Sequence, residues 1–464
     1  MRLTRRRFLA GAAAGAVGAA GIYELVDQLA GAPARPLAPG HRLPEQHILA
    51  SQRVIEDNGV EVVVPVLHNE VVTAKVRVDP GAAREAQQRL EAALKRLEDD
   101  FDSTPAGLGI TVAWGRPYFD RFVPEQARRQ MPDDLRATRT RGRATSALLD
   151  AIRFPSDPED TILEHNDVAF LLRSDKRANI AAAHRALFDE LDLFGKTSIR
   201  RGFAGGGFDG GHSLPKKMAM AANVPGAELI PDNAELFLGF TSTQKANLGP
   251  ARIANLETLG YTAPGYFSGG THMHLSHIFE DLEAWYLNFD FDERVATTFR
   301  PGLAVPPQTR TVRQGADDVE TQAHVTRDFH RHSAIGHSGS IQTTSRLERD
   351  VVGADGTLYR KGTAVPQRAD FNTLDNPFAW SSRPLFDKQL ATPAAGVHFV
   401  VFNPTSDDFH RNRLAMDGVM PDGTKLPFAP RDRGQGLNSV LRTTHRQNFL
   451  VPPRRHRSFP LVEL

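Results

Sequence analysis

Apolar positions along the chain change period several times, and each change predicts an element. The β-branched run "VEVVVPV" (60–66) predicts a strand, with Pro65 placing it near an edge or a bulge. In 81–101, Ala83, Ala86, Leu90, Ala93, Leu94, Leu97 and Phe101 recur at intervals of three and four, the repeat of a helix that buries one face. "GLGITVAWG" (107–115) predicts a strand, and "VAFLLR" (168–173) leads into an amphipathic helix over 176–191. The second half repeats this grammar. A strand over 271–278 precedes a helix over 279–287, and the strand "GVHFVVFN" (396–403) precedes a helix over 406–418. Between them the Asp-Gly turn inside 350–365 predicts a hairpin.

Strand–helix–strand units in two halves imply an α+β fold of two domains, each an antiparallel sheet with helices on one face. The proline-rich stretch before them (31–48) reads as an extended linker. Composition then narrows the chemistry. With 464 residues, 40% of them hydrophobic, the chain can bury a sizeable core. The formal charge of +1, from 56 basic and 55 acidic residues, argues against nucleic acid as a partner. There is no cysteine, which removes disulfides, thiolate catalysis, iron–sulfur clusters and cysteine-bound zinc.

Arg5-Arg6-Arg7, then Phe8-Leu9 and a weakly apolar Ala/Gly run to Tyr23, resemble a twin-arginine export signal. The run is shorter and weaker than the roughly 20 strongly apolar residues of a membrane-spanning helix. Residues 1–34 are therefore expected to be an address outside the fold, with 35–50 as linker. Ala30-Gly31-Ala32 and Ala32-Pro33-Ala34 offer small-residue cleavage sites; Pro33 and Pro36 oppose cleavage, so a retained membrane anchor stays open. The resemblance implies the twin-arginine machinery as a partner, a periplasmic or extracellular destination, and a cofactor inserted before export.

Two stretches carry candidate chemistry. "TQAHVTRDFHRHSAIGHSGS" (321–340) gathers His324, His330, His332 and His337. A zinc or copper site wants ligands at i, i+4 on a helix or i, i+2 on a strand; His330 and His332 fit the latter, and His337 fits neither. Taken singly, each imidazole also reads as an ordinary surface or packing residue. "RRGFAGGGFDGGH" (200–212) has the backbone freedom to approach a flat or anionic ligand, but not the glycine spacing of a nucleotide-binding loop. It carries one carboxylate, Asp209, which reads equally as a turn residue.

Read together, these stretches resemble the dye-decolourising (DyP-type) haem peroxidases. Gly206-Gly207-Phe208-Asp209-Gly210 matches the family's GxxDG motif, followed by the histidine cluster, an arginine string and then "GVHFVVFN" in the family's order. "YFSGGTHMHLSHIFEDLEAWY" (266–286) resembles a further family segment, although His272, His274 and His277 replace its apolar and arginine positions. The resemblance implies two ferredoxin-like domains of the dimeric α+β barrel type, over 51–212 and 213–464. It implies haem b bound through His337, with His324 as runner-up, and Gly206, Gly207, Phe208 and Gly210 lining the cofactor. Asp209 would move protons on the opposite face beside an arginine, which is Arg368 if the 350–365 hairpin is an insertion and Arg360 if it is not. Asp407 or Asp408 would support the ligating imidazole, and Lys216, Lys217 or Arg346 would meet the propionates. The implied activity is oxidation of phenolic or dye-like reductants by hydrogen peroxide, in a chain able to form a homo-oligomer. The alternatives are a catalytically weak haem-binding protein and one that releases iron from haem.

Overall fold

The two halves of the chain close into one barrel. A computed structural model describes residues 22–23, 25–30, 45–50, 54–58, 60–205, 213–240, 265–310, 312, 320–347, 349–352, 358–362, 365, 367–377, 392–427 and 436–464. The first half carries helix α1 (Leu25–Ala30), strands β1 (Val54–Asp57), β2 (Val60–Val63) and β3 (His68–Val76), helix α2 (Ala83–Asp100) and β4 (Gly109–Gly115). Next come α3 (Arg116–Phe122), α4 (Pro124–Gln130), α5 (Leu135–Arg141), β5 (Ile162–Leu163), β6 (Val168–Ser174), α6 (Arg177–His184) and β7 (Phe194–Phe203). The second half carries α7 (Leu214–Ala221), β8 (Thr271–Glu280), α8 (Leu282–Asn288), α9 (Phe291–Thr298), α10 (Gln322–His332) and α11 (His337–Gln342). A hairpin of β9 (Val351–Val352) and β10 (Leu358–Tyr359) precedes β11 (Gln367–Arg368), β12 (Phe371–Thr373), β13 (Gly396–Asn403), α12 (Ser406–Met416) and β14 (Leu441–Val451).

Pairing runs β7-β3-β6-β4 in the first half and β14-β8-β13-β12 in the second. Both are the strand order of a ferredoxin-like unit, first strand central and last strand at an edge. The edges then join: β4 pairs with β14 and β7 with β12, which removes every free edge of the ring. Strand alternation sorts the side chains. Val71, Ala113, Leu171, Leu275, Val400 and Phe449 fill the inside. On the outer face of the first half, Val72, Val112, Phe170 and Leu172 receive Leu90, Leu94 and Leu97 of α2 and Ile180 of α6.

Most predicted elements appear where the periodicity puts them, including the hairpin and a strand ending at Asn403. The helix expected from 279 begins at Leu282, because β8 runs to Glu280 and the Asp281 side chain caps the helix by accepting from Ala284 N. The run at 60–66 yields only β2, which pairs with β1 outside the barrel. Two expectations need correction. Residues 22–30 do not lie wholly outside the fold. Ile22, Tyr23 and Val26 join a core cluster with Phe203, Leu214 and Met218, and the Tyr23 hydroxyl donates to Asp375 Oδ1 at 3.0 Å while accepting from Leu374 N at 2.9 Å. Nor is 45–50 a solvated linker. His47 and Leu49 are buried, and Gln46 Nε2 donates to Val112 O at 2.9 Å and Pro452 O at 2.8 Å.

The barrel wall is rich in buried histidine. His272, His274, His277 and His398 are fully buried, and the His277 and His398 rings lie 4.2 Å apart. Burial is the largest cause that lowers the affinity of each for a proton; His272 is held down to about 3 and His410 to about 4, while His274, His277 and His398 are also lowered. His47 is lowered to about 3 in the same way. An unfolded chain protonates these six imidazoles near pH 6.5, so between there and pH 4 it binds more protons than the folded chain. Glu235 and Glu280, raised by burial to about 8, together with Glu45 and Asp175, act in the opposite sense but are fewer. Stability is therefore expected to fall by about 1–3 kcal/mol per pH unit as pH drops from 6.5 to 5. Urea midpoints at the two pH values measure this, and equal midpoints would mean that the imidazoles are charged in the folded state.

Candidate functional site

In the first half the helical layer packs directly on the sheet, but in the second half it stands away from it. Ser276, Ile278 and Glu280 of β8 and Val397, Phe399 and Val401 of β13 point outward at alternate positions and form the floor of a cavity. Its roof comes from α11 (His337, Ser338, Ile341), α12 (Phe409, Asn412, Arg413, Met416) and Leu437, Asn438 and Leu441. The space between them, mouth included, is about 1530 Å³. Apolar walls dominate, and the charged groups are few: Asp157, Glu280, Arg368, Asp370, Arg413 and Arg446.

His337 opens α11, and a glycine decides where. A Cβ on Gly336 would lie 2.1 Å from Phe299 O, so the backbone there approaches the end of α9 more closely than any side chain permits. Gly339 N donates to the same carbonyl at 2.8 Å, and Ser340 Oγ donates to His337 O at 2.9 Å. The imidazole enters the cavity with its Nδ1 buried and unbonded. Burial first, then the charges of Arg368 and Arg413, push its pKa down to about 3. It is therefore a neutral base at any ordinary pH, the form in which imidazole binds a metal. It also borders a second cavity that shares Met416, Leu437 and Asn438.

Arg368 reaches the same space through register. β11 pairs antiparallel with β13, setting Arg368 opposite Val401, so both side chains share the outer face. Asp370 Oδ1 lies 3.6 Å from Arg368 Nε. Deeper in the cavity, Asp157 accepts from Arg446 at 2.8 Å, Asp417 accepts from Arg413 at 2.7 Å, and both guanidinium groups lie over the Phe154 ring. These two arginines are thus balanced by carboxylates within the wall.

Of the residues singled out from the sequence, His337 and Arg368 meet in one cavity. Arg360 does not reach it; it is exposed and donates to Asp350 at 2.7 Å in the hairpin region. His324 lies on α10 outside the cavity lining, 3.5 Å from Glu320. His330 and His332 share α10, and among the described residues no three histidine or carboxylate side chains are grouped to hold a metal ion. Asp209 and its neighbours Gly206, Gly207, Phe208 and Gly210 lie outside the described residues. Asp407 and Asp408 are committed elsewhere: Arg141 donates to Asp407 at 2.7 Å, Arg136 donates to both, and Asp408 completes the capping box of α12. Lys216 pairs with Asp232 at 2.8 Å, Lys217 donates to Leu29 O at 2.9 Å, and Arg346 donates to Gly362 O at 2.8 Å, none of them lining the cavity. Sequence reasoning missed Glu280, Asp157, Arg413 and Arg446. Only the alternation of β8 hinted at Glu280, by placing it on one face with Ser276 and Ile278.

Two heme complexes of variants of DypB from Rhodococcus jostii RHA1 superpose on the chain with TM-scores of 0.51 and 0.50, each at 13% identity. Each match covers 85% of this chain, and 95% and 96% of theirs. The encapsulated DyP-type peroxidase of Mycobacterium smegmatis gives a TM-score of 0.48 at 11% identity, over 86% of this chain and 96% of its own. At 13% identity the likeness to the two DypB variants shows the fold, an α+β barrel of ferredoxin-like halves. No curated protein matches the sequence. Residues 67–453 match the family of unknown function DUF7405, and the chain belongs to that family.

Proposed function

We propose that the chain is an exported haem peroxidase that uses hydrogen peroxide to oxidise phenolic or dye-like organic molecules. One observation carries the reading: a neutral imidazole, His337, shares a largely apolar cavity with Arg368. The likeness of fold to DypB, solved in complex with heme, supports it.

The residues present fit a haem. His337 would bind the iron, the walls of Ile278, Val397, Phe399, Phe409 and Ile341 would contact the macrocycle, and Arg368 would be the cation available to a carboxylate. When bound, haem supplies the redox centre on which peroxide reacts. The chain supplies the rest. The apolar walls exclude water and strengthen each electrostatic contact inside. The Arg368 guanidinium would stabilise negative charge that develops on a peroxide oxygen. Asp209, if ionised, would take a proton from one oxygen and return it to the other, a role worth about 10²–10⁴ in rate. The Arg5-Arg6-Arg7 segment supports export through the twin-arginine machinery. The packing of Ile22, Tyr23 and Val26 supports a mature chain that keeps those residues.

A second reading, haem binding with weak turnover, is favoured by the lack, among the described residues, of a carboxylate on His337. A metal on one ring nitrogen leaves the other needing an acceptor, and that acceptor raises the basicity of the ligand. Nδ1 has none, and the candidates Asp407 and Asp408 are held by Arg136 and Arg141.

Folding the protein with haem present and recording its absorption spectrum tests the reading. His337→Ala is expected to abolish the Soret band, and a normal band in that variant would remove His337 from the role. Gly336→Ala should weaken haem uptake without loss of the folded barrel, since it must move the backbone that carries His337. Arg368→Leu and Asp209→Asn should retain haem and slow peroxide consumption by about 10²–10⁴. If wild-type protein takes up haem but oxidises no generic dye, the weak-turnover reading replaces the first.

A further inference from the structure

Glu280 is the last residue of β8 and lines the cavity from its floor. It is 6% exposed, and its Oε2 is buried without a hydrogen-bond partner. Its backbone is fixed on both sides: Glu280 N donates to Ala395 O at 3.0 Å, and Leu441 of β14 is its register partner. The charge that acts on it is a like charge, Asp370, whose own counter-ion is Arg368 at 3.6 Å. The other titratable neighbour is Tyr286, whose hydroxyl donates to Phe237 O at 2.7 Å and is thereby occupied. The remaining charged groups of the cavity, Asp157, Arg413 and Arg446, are tied to one another or to Asp417. A buried carboxyl that meets no cation among the described residues, and that feels the charge of a second carboxyl, is cheaper to keep neutral than to ionise. A neutral carboxyl is a donor, and the donor here has no protein acceptor on Oε2.

We propose that Glu280 is the proton-donating residue of this cavity, meeting an oxygen of a bound peroxide with its carboxylic O–H. The identity of that ligand rests on the peroxidase reading above; the protonated state of Glu280 does not. One oxygen of hydrogen peroxide must leave as water and needs one more proton to do so. Glu280 supplies that proton in place of the return from Asp209, which keeps the one shed by the other oxygen until both carboxyls re-equilibrate with solvent. At each end one O–H bond breaks as another forms; the O–O bond breaks as the water leaves, and the two electrons this takes would come from a bound haem. Arg368 and Glu280, both lining this cavity, would then act on the same ligand, the first as a fixed charge and the second as an acid.

Two measurements test this. In the haem-free chain, infrared difference spectra of wild type against Glu280→Gln should show one neutral-carboxyl band at pH 7, lost from wild type as pH rises through about 8, the value to which burial and Asp370 lift the group. A wild-type chain without that band at pH 7 overturns the proposal, with or without haem. In the haem-loaded chain, the rate of reaction with hydrogen peroxide should fall as pH rises through about 8. Glu280→Gln should lower that rate by about 10²–10⁴ and erase the limb, and Glu280→Asp should restore part of it. A limb that survives Glu280→Gln overturns the proposal. Failure of the peroxidase reading looks different: the chain takes up no haem, while the infrared band remains and titrates.

Discussion

The pairing of β14 is the constraint on which the rest of the structure depends. Its residues run antiparallel to β8 from Leu441↔Glu280 to Val451↔Thr271, and at Phe449 and Leu450 it also pairs with β4 of the other half. Without that seam there would be two open sheets with exposed edges; with it there is one ring whose inner face is closed to water. Closure also decides what the outer face can do. A sheet already sealed on its inner side needs helices on one face only, and in the second half those helices need not press on it. The cavity occupies that interval.

Closing the ring forces polar groups inside, and the structure meets the cost by keeping them neutral or paired. Imidazoles at 277 and 398 sit uncharged in the wall. His274 makes two hydrogen bonds of 2.6 Å, to Asn448 and Ser276, and stacks on Phe409 at 3.4 Å. That stack seats α12 against β8 and so sets the depth of the cavity beside Met416 and Asn412. Histidines that stand in the sequence where the resembled segment has apolar and arginine residues are, in the fold, buried parts of the barrel wall.

The charges of the cavity are arranged so that most cancel. Asp157 and Asp417 neutralise Arg413 and Arg446, which stiffens the wall and leaves little field there. His337, Arg368 and Glu280 remain as the groups able to act on a bound molecule: a neutral base, a cation and a carboxyl that burial favours in its neutral form. Together they offer a ligand nitrogen, a fixed positive charge and a proton. None of them is supplied by the same strand or helix as another.

Local pattern determined a good deal. The three-and-four spacing of Leu90, Leu94 and Leu97 specified α2, and the apolar runs at 107–115, 168–173 and 396–403 specified strands, because short apolar runs between turn signals leave few other readings. The glycine before His337 was visible too, though not its purpose, which lies in a carbonyl thirty-odd residues earlier in the chain. Strands β3, β7 and β14 were not legible: "HNEVVTAKV", "FGKTSIRRGF" and "LRTTHRQNFLV" carry polar residues on the inner face that read as solvent-facing until the ring is closed. The same holds for Tyr23, an apparent export residue whose hydroxyl finds Asp375 only in three dimensions. The choice between Arg368 and Arg360 was likewise beyond the sequence, since both follow the histidine at reasonable spacing. Strand register against Val401 turns one into the cavity, and an ion pair with Asp350 holds the other at the surface.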